Sequence, residues 1–334
     1  MIITKKHKLI LMCVYIVFSL FVSITLEASE YHVGTYNILV GTKGSTWDKR
    51  KENVCNFILY NNFDILGTQE VSPYQYVDLK DKLKGIYSSF GVGREDGKNK
   101  GEYSAIFYKT NKFELLGGNT FWLSETPEIV SKGWDAYCNR ICTWVKLKDK
   151  NNNNEIWFFN THLDHKGIKA REKSCQLIIS KIKELCPKDA NIVLVGDFNL
   201  QYDNAFLKKI TEDQILKDSY SAANYKWVPT ASYNWNQFDR LSTICIDQIY
   251  VSKASNVLRY GILNNSFFIV DDNPVTDYRK IISNNNKNKT ITTIPLSDHY
   301  PVSVFVDFKD SNDSKNENDS VEKKILKKIF KIKK

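Results

Sequence analysis

Ten polar residues hold the chemistry this sequence can offer: Asn37, Glu70, Glu102, Arg140, His162, Asp197, Asn199, Asp247, Asp298 and His299. Each stands at or beside the end of an apolar run. Glu70 and Asp298, with amide help from Asn37, are hard oxygen donors suited to Mg²⁺ or Mn²⁺ and unsuited to zinc. His162, His299 and Arg140 can carry charge that develops on a phosphoryl oxygen. An imidazole flanked by a carboxylate has a fixed tautomer and is stabilised as imidazolium. Together these groups describe metal-assisted hydrolysis of a phosphate ester. Taken singly, each has an ordinary structural explanation: a turn residue for Asn37, a helix N-terminal acid for Glu70, a solvated charge for Arg140, a satisfied core imidazole for either histidine. The chain has five histidines, however, and two of them sit beside strands in T-H-L-D-H and S-D-H strings. H-E-x-x-H, paired C-x-x-C, G-x-S-x-G and G-x-x-x-x-G-K-[ST] do not occur, which sets aside the chemistries those motifs carry.

The element that best positions such a group is Ile192–Asn199, I-V-L-V-G-D-F-N. Its branched apolar run reads as a strand buried on both faces. Gly196 lets the chain turn, and Asp197 and Asn199, two apart, share a face if the strand continues. Tyr31–Leu39 reads as a first strand delivering Asn37, and Phe63–Thr68 as a second ending in Gln69-Glu70. Glu102–Tyr108 is a third. Arg140–Leu147 and Glu155–Thr161 form a hairpin about the Asn151–Asn154 turn and deliver His162 and Asp164. Thr243–Val251 carries Asp247, and Pro301–Phe308 follows Asp298-His299. Phe113–Trp122 reads as a strand pair and Val257–Val270 as strand-like. Helical spacing marks Asp48–Tyr60, Pro73–Leu83, Ala170–Leu185 and Asn204–Leu216. The Gly91–Gly101 loop and the aromatic Tyr220–Phe238 segment are expected to flank a cleft and select its ligand. Strands dominate, helices are interspersed, and no linker splits the middle, so residues 30–309 read as one domain.

The 334-residue chain has a formal charge of +9. Much of that excess lies in Lys5, Lys6 and Lys8 and between Lys323 and Lys334, so it is weak evidence for a nucleic-acid partner. Met1–Ala28 has the basic, apolar and small-residue order of a secretory signal, with a signal anchor as the alternative. A secreted or lumenal protein is therefore expected. The seven cysteines, of which Cys13 lies in this segment, form no readable disulfide framework. Cys138-x-x-x-Cys142 falls in an expected strand and does not read as a metal site. Residues 310–334 form a polar linker and a basic amphipathic tail. Val321–Lys334 suits an anionic membrane surface, or is simply a solvated lysine-rich tail.

The polar strand ends also carry a resemblance. T-Y-N at Thr35–Asn37, Q-E at Gln69-Glu70, G-E-Y-S-A-I-F-Y at Gly101–Tyr108 and N-T-H-L-D-H at Asn160–His165 come first. G-D-F-N at Gly196–Asn199, I-D-Q-I at Ile246–Ile249 and S-D-H-Y-P-V at Ser297–Val302 follow. In this order the chain resembles the endonuclease/exonuclease/phosphatase superfamily, which contains DNase I, apurinic endonucleases, neutral sphingomyelinases, inositol polyphosphate phosphatases and deadenylases. F-W-L-S-E-T-P at Phe121–Pro127 looks like an uncharacterised branch with secreted bacterial and protist members.

The resemblance implies a DNase I-like four-layer α/β/β/α sandwich, with two packed mixed sheets and the site at one end of them. It implies that Asn37 and Glu70 hold a divalent metal, with Asp298 nearby. Asp197 would activate the attacking water and Asn199 would position it or the phosphate. His162, oriented by Glu102, would meet the phosphoryl oxygen or leaving group. His299, paired with Asp247, would stabilise the transition state, and Arg140 would clamp the phosphate. A nuclease-like phosphodiesterase, acting as a monomer, is the first expectation. A phosphatase or a sphingomyelinase-like phospholipase C, on a phospholipid or soluble phosphate, is the second. A catalytically inactive binding module is the third.

Overall fold

The structure, a computed structural model, describes residues 30–234, 242–264, 266–270, 273–275 and 291–308. The expected signal segment, the polar linker and the basic tail lie outside the described residues, as does part of the aromatic segment.

One sheet has seven strands in the order β10 (Tyr225–Trp227), β12 (Asn256–Ile262), β16 (Val302–Asp307), β1 (Glu30–Asn37), β2 (Ile65–Val71), β4 (Tyr103–Lys109), β3 (Tyr87–Phe90). The other has six, in the order β5 (Phe113–Trp122), β6 (Ile141–Asp149), β7 (Glu155–His162), β8 (Asn191–Asp197), β11 (Asp247–Ser252), β9 (Leu216–Asp218). A third sheet joins β14 (Asn273–Val275), β13 (Ser266–Val270) and β15 (Ile291–Pro295).

Strand alternation sorts the side chains into three apolar layers. Val33, Ile65, Ile106, Val145, Phe158, Val193, Val195, Ile249 and Val304 pack between the two large sheets. On the outer face of the first sheet, Leu66 and Phe107 meet Trp47, Val54 and Ile58 of α1 (Thr46–Asn61) and Leu79 of α2 (Pro73–Lys82). On the outer face of the second, Phe159, Leu194 and Tyr250 meet Cys175, Ile178 and Ile182 of α3 (Ile168–Leu185) and Leu207 and Ile210 of α4 (Ala205–Thr211). The result is the α/β/β/α sandwich expected from the sequence. A short α5 (Ser219–Ala222) follows β9.

The helices begin where their caps are. Ser45 accepts from the Trp47 N–H at 3.2 Å, and Ser72 with Gln75 forms a capping box before Pro73. At α3 the N-cap is Gly167, which has no side chain to offer, and the cap comes from a distant loop. Asp135 accepts from the backbone N–H groups of Lys169 at 3.2 Å and Ala170 at 2.6 Å.

Two strand expectations differ from the structure. Phe113–Trp122 is a single strand that pairs with β6 along its length, and a bulge between Leu115 and Gly117 leaves Leu116 out of the ladder. The Val257–Val270 run is two strands, β12 and β13, in separate sheets. Cys138 lies in the loop before β6 rather than in the strand. All six cysteines among the described residues are free thiols.

Candidate active site

Inward-facing positions change from apolar to polar as the strands reach one edge of the sandwich. Val33, Thr35 and Asn37 lie two apart on β1. Phe158, Asn160 and His162 do so on β7, Val193, Val195 and Asp197 on β8, and Val251, Ile249 and Asp247 on β11. The register brings these ends together. β7 and β8 run parallel with His162 opposite Asp197, and β11 runs antiparallel with Asp247 opposite the same residue. β1 and β2 are parallel, with Asn37 opposite Gln69.

Glu70 would point to the outer face if β2 continued regularly. Instead the pairing of β2 with β4 shifts between Thr68 and Val71, and Glu70 takes a left-handed φ of 58°. A non-glycine residue held there costs on the order of 1 kcal/mol or more. The bulge turns the Glu70 carboxylate to Asn37, whose Nδ2 donates to its Oε1 at 3.0 Å. Val40 N–H donates to the other oxygen at 2.9 Å. The loop carrying Val40 is fixed in turn by buried Arg50, which donates to the carbonyls of Ile38 at 2.8 Å and Leu39 at 3.0 Å.

Three side chains and one backbone N–H converge on the Asp197 carboxylate. Its Oδ2 lies 3.1 Å from Asn37 Nδ2, 3.5 Å from His162 Nε2 and 3.6 Å from His299 Nε2. Its Oδ1 accepts the Asn199 N–H at 2.9 Å, where Asn199 itself adopts a φ of 48°. Burial pushes the Asp197 carboxyl up to about 7, with His299 opposing and Asp247 reinforcing the shift. His299 Nδ1 meets Asp247 Oδ2 at 2.8 Å. Burial alone would favour the neutral ring, but Asp247 and Asp197 outweigh it and raise His299 to about 10. His162 is the opposite case. Burial, with Arg140 and Arg94 adding to it, holds its pKa well below the usual imidazole range. The two histidines therefore differ in charge at neutral pH.

The donors suit a hard divalent cation. Among the described residues, the ligand atoms of Glu70, His162 and Asp197 lie within 4.8 Å of one another, as do those of Asp197, Asp247 and His299. Asp298 lines the same cleft outside both groups. Burial raises its pKa, and the charge on Glu70 adds to the shift. A cation would relieve that crowding of negative charge. Asn37 differs from expectation in one respect. Its amide turns the nitrogen to Glu70 and Asp197, while its oxygen accepts the Leu39 N–H at 3.0 Å. Serving as an oxygen ligand would require that amide to flip.

A basic wall completes the cleft. Buried Arg140 donates from Nε to Asp164 at 3.3 Å and from Nη2 to His165 Nδ1 at 3.0 Å. Its Nη1 is buried and unpartnered among the described residues. Glu102 does not hold His162 as expected. It forms a two-pronged pair with Arg94 at 2.8 and 3.1 Å, and a cavity of about 10 Å³ is lined by Glu102, Arg94, Arg140 and His162. The guanidinium fork fits the carboxylate better than a single ring nitrogen does. The hydrogen bond that His162 does make is between Nε2 and Asn199 Nδ2, at 3.1 Å.

The whole cleft encloses about 460 Å³ and is lined by Glu70, Glu102, Arg140, His162, Asp197, Asn199, Asp298 and His299. Asn37 and Asp247 stand directly behind it through their hydrogen bonds. Arg94, His165 and Tyr233 line it too, and sequence reasoning did not single them out. Arg94 and Tyr233 come from the two segments expected to flank the cleft. His165 was visible in the T-H-L-D-H string. Gln69 and Asn160 were also passed over as individuals. Gln69 Nε2 donates to Asn160 Oδ1 at 2.6 Å, and Asn160 Nδ2 reaches the carbonyls of Thr68 and Ala105, each at 2.9 Å. This pins β7 of one sheet to β2 and β4 of the other, beneath the site.

Residues 34–299 match the model of the family described as "Endonuclease/Exonuclease/phosphatase family". A crystal structure of a protein from Bacteroides thetaiotaomicron, described as an endonuclease/exonuclease/phosphatase family protein, is 38% identical, with a TM-score of 0.75 over 84% of this chain and 98% of that one. A mannosyl-6-phosphatase from the same organism is 37% identical, with a TM-score of 0.73 over 83% of this chain and 100% of its own. An uncharacterized protein of Acanthamoeba polyphaga mimivirus is 26% identical over 267 residues, covering 78% of this chain and 91% of the viral protein.

Proposed function

We propose that this chain, which belongs to the endonuclease/exonuclease/phosphatase family, is a divalent-metal-dependent hydrolase of small phosphomonoesters. The observation that carries the reading is Arg140. A guanidinium whose buried Nη1 has no partner among the described residues lines the cleft that also holds Asp197 and both site histidines. An unpaired buried donor is costly, and a phosphate oxygen would satisfy it. A mannosyl-6-phosphatase at 37% identity over its full length favours a phosphomonoester. On that support we put a phosphatase ahead of the nuclease reading that the sequence favoured.

Glu70 and Asp298, with Asn37 once its amide turns, would hold Mg²⁺ or Mn²⁺. Bound there, the ion would supply charge to a phosphoryl oxygen. Asp197, with a carboxyl near neutrality, takes a proton from the attacking water, which Asn199 positions. The water oxygen forms a bond to phosphorus, the ester P–O bond breaks, and the departing alcohol oxygen takes up a proton from solvent. We assign His162 to the phosphoryl oxygen and leaving group. The charged His299, held by Asp247, stabilises the transition state.

The test is inorganic phosphate release from mannose 6-phosphate in Mg²⁺, beside cleavage of bis(4-nitrophenyl) phosphate and single-stranded DNA. Monoester turnover exceeding that of both diesters is expected. Turnover of diesters alone would overturn the monoester assignment, and no turnover of any would overturn the phosphoesterase reading.

A further inference from the structure

One side of the cleft is furnished for something other than phosphate. Tyr137 lines it and leaves 62% of its surface exposed, high for an aromatic ring beside a buried site. Its backbone is not loose. The Tyr137 and Cys138 N–H groups both bond to Asp164, the residue that also receives Arg140. Asp135, two residues earlier, caps α3, and Asn139, two residues later, donates to Glu95 at 2.9 Å. The ring is thus presented from a pinned loop, while its hydroxyl has no hydrogen-bond partner among the described residues.

Two donors accompany the ring. His165 meets it edge-on, with centroids 5.2 Å apart, and Lys166 Nζ lies 4.4 Å from its centroid. Arginine can only donate, so the 3.0 Å contact from Arg140 Nη2 makes His165 Nδ1 the acceptor. In the neutral ring the proton is then on Nε2, which has no partner among the described residues. An aromatic face beside an N–H and an ammonium is a pattern for a polyol ring. The C–H face of a pyranose packs against the electron-rich π-face, and its hydroxyls accept from the donors. A nucleobase also stacks on an aromatic face, so a nucleotide is the competing occupant that the test includes.

Building on the phosphomonoesterase reading, we propose that Tyr137 and His165, which both line the cleft, form a subsite for the alcohol half of the substrate, with Lys166 seated over one face of the Tyr137 ring, and that this half is a hexose. Tyr137 is a specificity-determining residue there and takes no part in the chemistry.

The test compares wild type with Tyr137→Ala and Tyr137→Phe in Mg²⁺ on mannose 6-phosphate, glycerol 1-phosphate and adenosine 5′-monophosphate. Tyr137→Ala should lower kcat/KM on mannose 6-phosphate about tenfold, mainly through KM, and leave glycerol 1-phosphate within about twofold. Tyr137→Phe should retain wild-type values. An equal loss on both monoesters, no loss on either, or a larger loss on the nucleotide would overturn the hexose subsite. Calorimetric titration of the Asp197→Asn protein with mannose 6-phosphate separates this from the activity reading. Weaker binding on adding Tyr137→Ala is expected even if turnover fails. Binding that is absent or unchanged by Tyr137→Ala would overturn the subsite by itself.

Discussion

Asp197 and Asp247 face each other across β8 and β11, and the His299 ring bridges them. Its Nδ1 is 2.8 Å from Asp247 and its Nε2 is 3.6 Å from Asp197. Two buried carboxylates this close would repel, and an imidazolium between them offsets that repulsion. The fold thus stores a positive charge at the polar end of an apolar core, where charge on a phosphoryl group would develop.

Asp247→Asn should remove the partner that fixes the His299 tautomer and most of what keeps the ring charged. We expect kcat to fall by about 10²- to 10³-fold. The pH profile gives the sign. A raised folded pKa means the imidazolium is present below that value and lost as pH climbs through it, about 10 in the wild type. In the variant only Asp197 and, less strongly, Asp298 oppose burial, so the high-pH loss of activity should begin at lower pH. Measuring kcat from about pH 6 upward, starting just below the ordinary imidazole pKa of about 6.5, checks this.

Glu70→Gln bears on the metal. It removes one of the charges that raise Asp298 and leaves side-chain volume nearly unchanged. The new amide nitrogen meets a donor, Asn37 Nδ2 or the Val40 N–H, so each protein is compared with its own metal-free Tm. Adding Mg²⁺ or Mn²⁺ should raise the wild-type Tm and barely move that of Glu70→Gln. An equal metal-induced shift in both proteins would remove Glu70 from the metal site.

Asn160→Ala tests the pin between the sheets. It removes the buried hydrogen bonds from Asn160 to the Thr68 and Ala105 carbonyls and from Gln69 to Asn160, although Ala105 keeps Thr68 Oγ1 and Gln69 keeps Thr35 Oγ1 as partners. A loss of about 2–4 kcal/mol in unfolding free energy is expected, read from urea midpoints at constant m.

Acid stability should depend on His32. Its ring is stacked 4.1 Å from Phe305 and 4.4 Å from Phe63, and its Nε2 meets Ser303 Oγ at 2.8 Å. Burial lowers its pKa to about 4, against an opposing pull from Asp64. The folded value lies below the unfolded 6.5, so the unfolded chain binds the extra proton. The stabilising term is full above pH 6.5 and is lost as pH falls toward 4, amounting to roughly 3 kcal/mol at most. In His32→Phe that stretch of the stability curve should flatten.

Much of the sandwich was legible because strand alternation and the apolar-to-polar change at strand ends lie in the chain itself. Val193, Val195 and Asp197 already share a face in the sequence. The direction of Glu70 was not legible, because a bulge and a left-handed φ decide it, and no residue type there announces either. Nor could Glu102 be matched with Arg94 rather than His162, since that choice depends on where the Gly91–Gly101 loop folds back. The Asp135 cap on α3 joins residues 34 and 35 apart in the chain, and no local spacing signals such a contact. In the same way His165 was seen as part of a string, yet its tautomer follows only from its contact with Arg140.

Single-turnover phosphate release from mannose 6-phosphate in saturating Mg²⁺, wild type against Asp197→Asn, tests the assignment of this site most directly. The amide keeps the shape of the carboxylate and loses its basicity. Release slowed by about 10²- to 10⁴-fold, with mannose 6-phosphate still bound, is the expected result. Release at the wild-type rate from Asp197→Asn would contradict it.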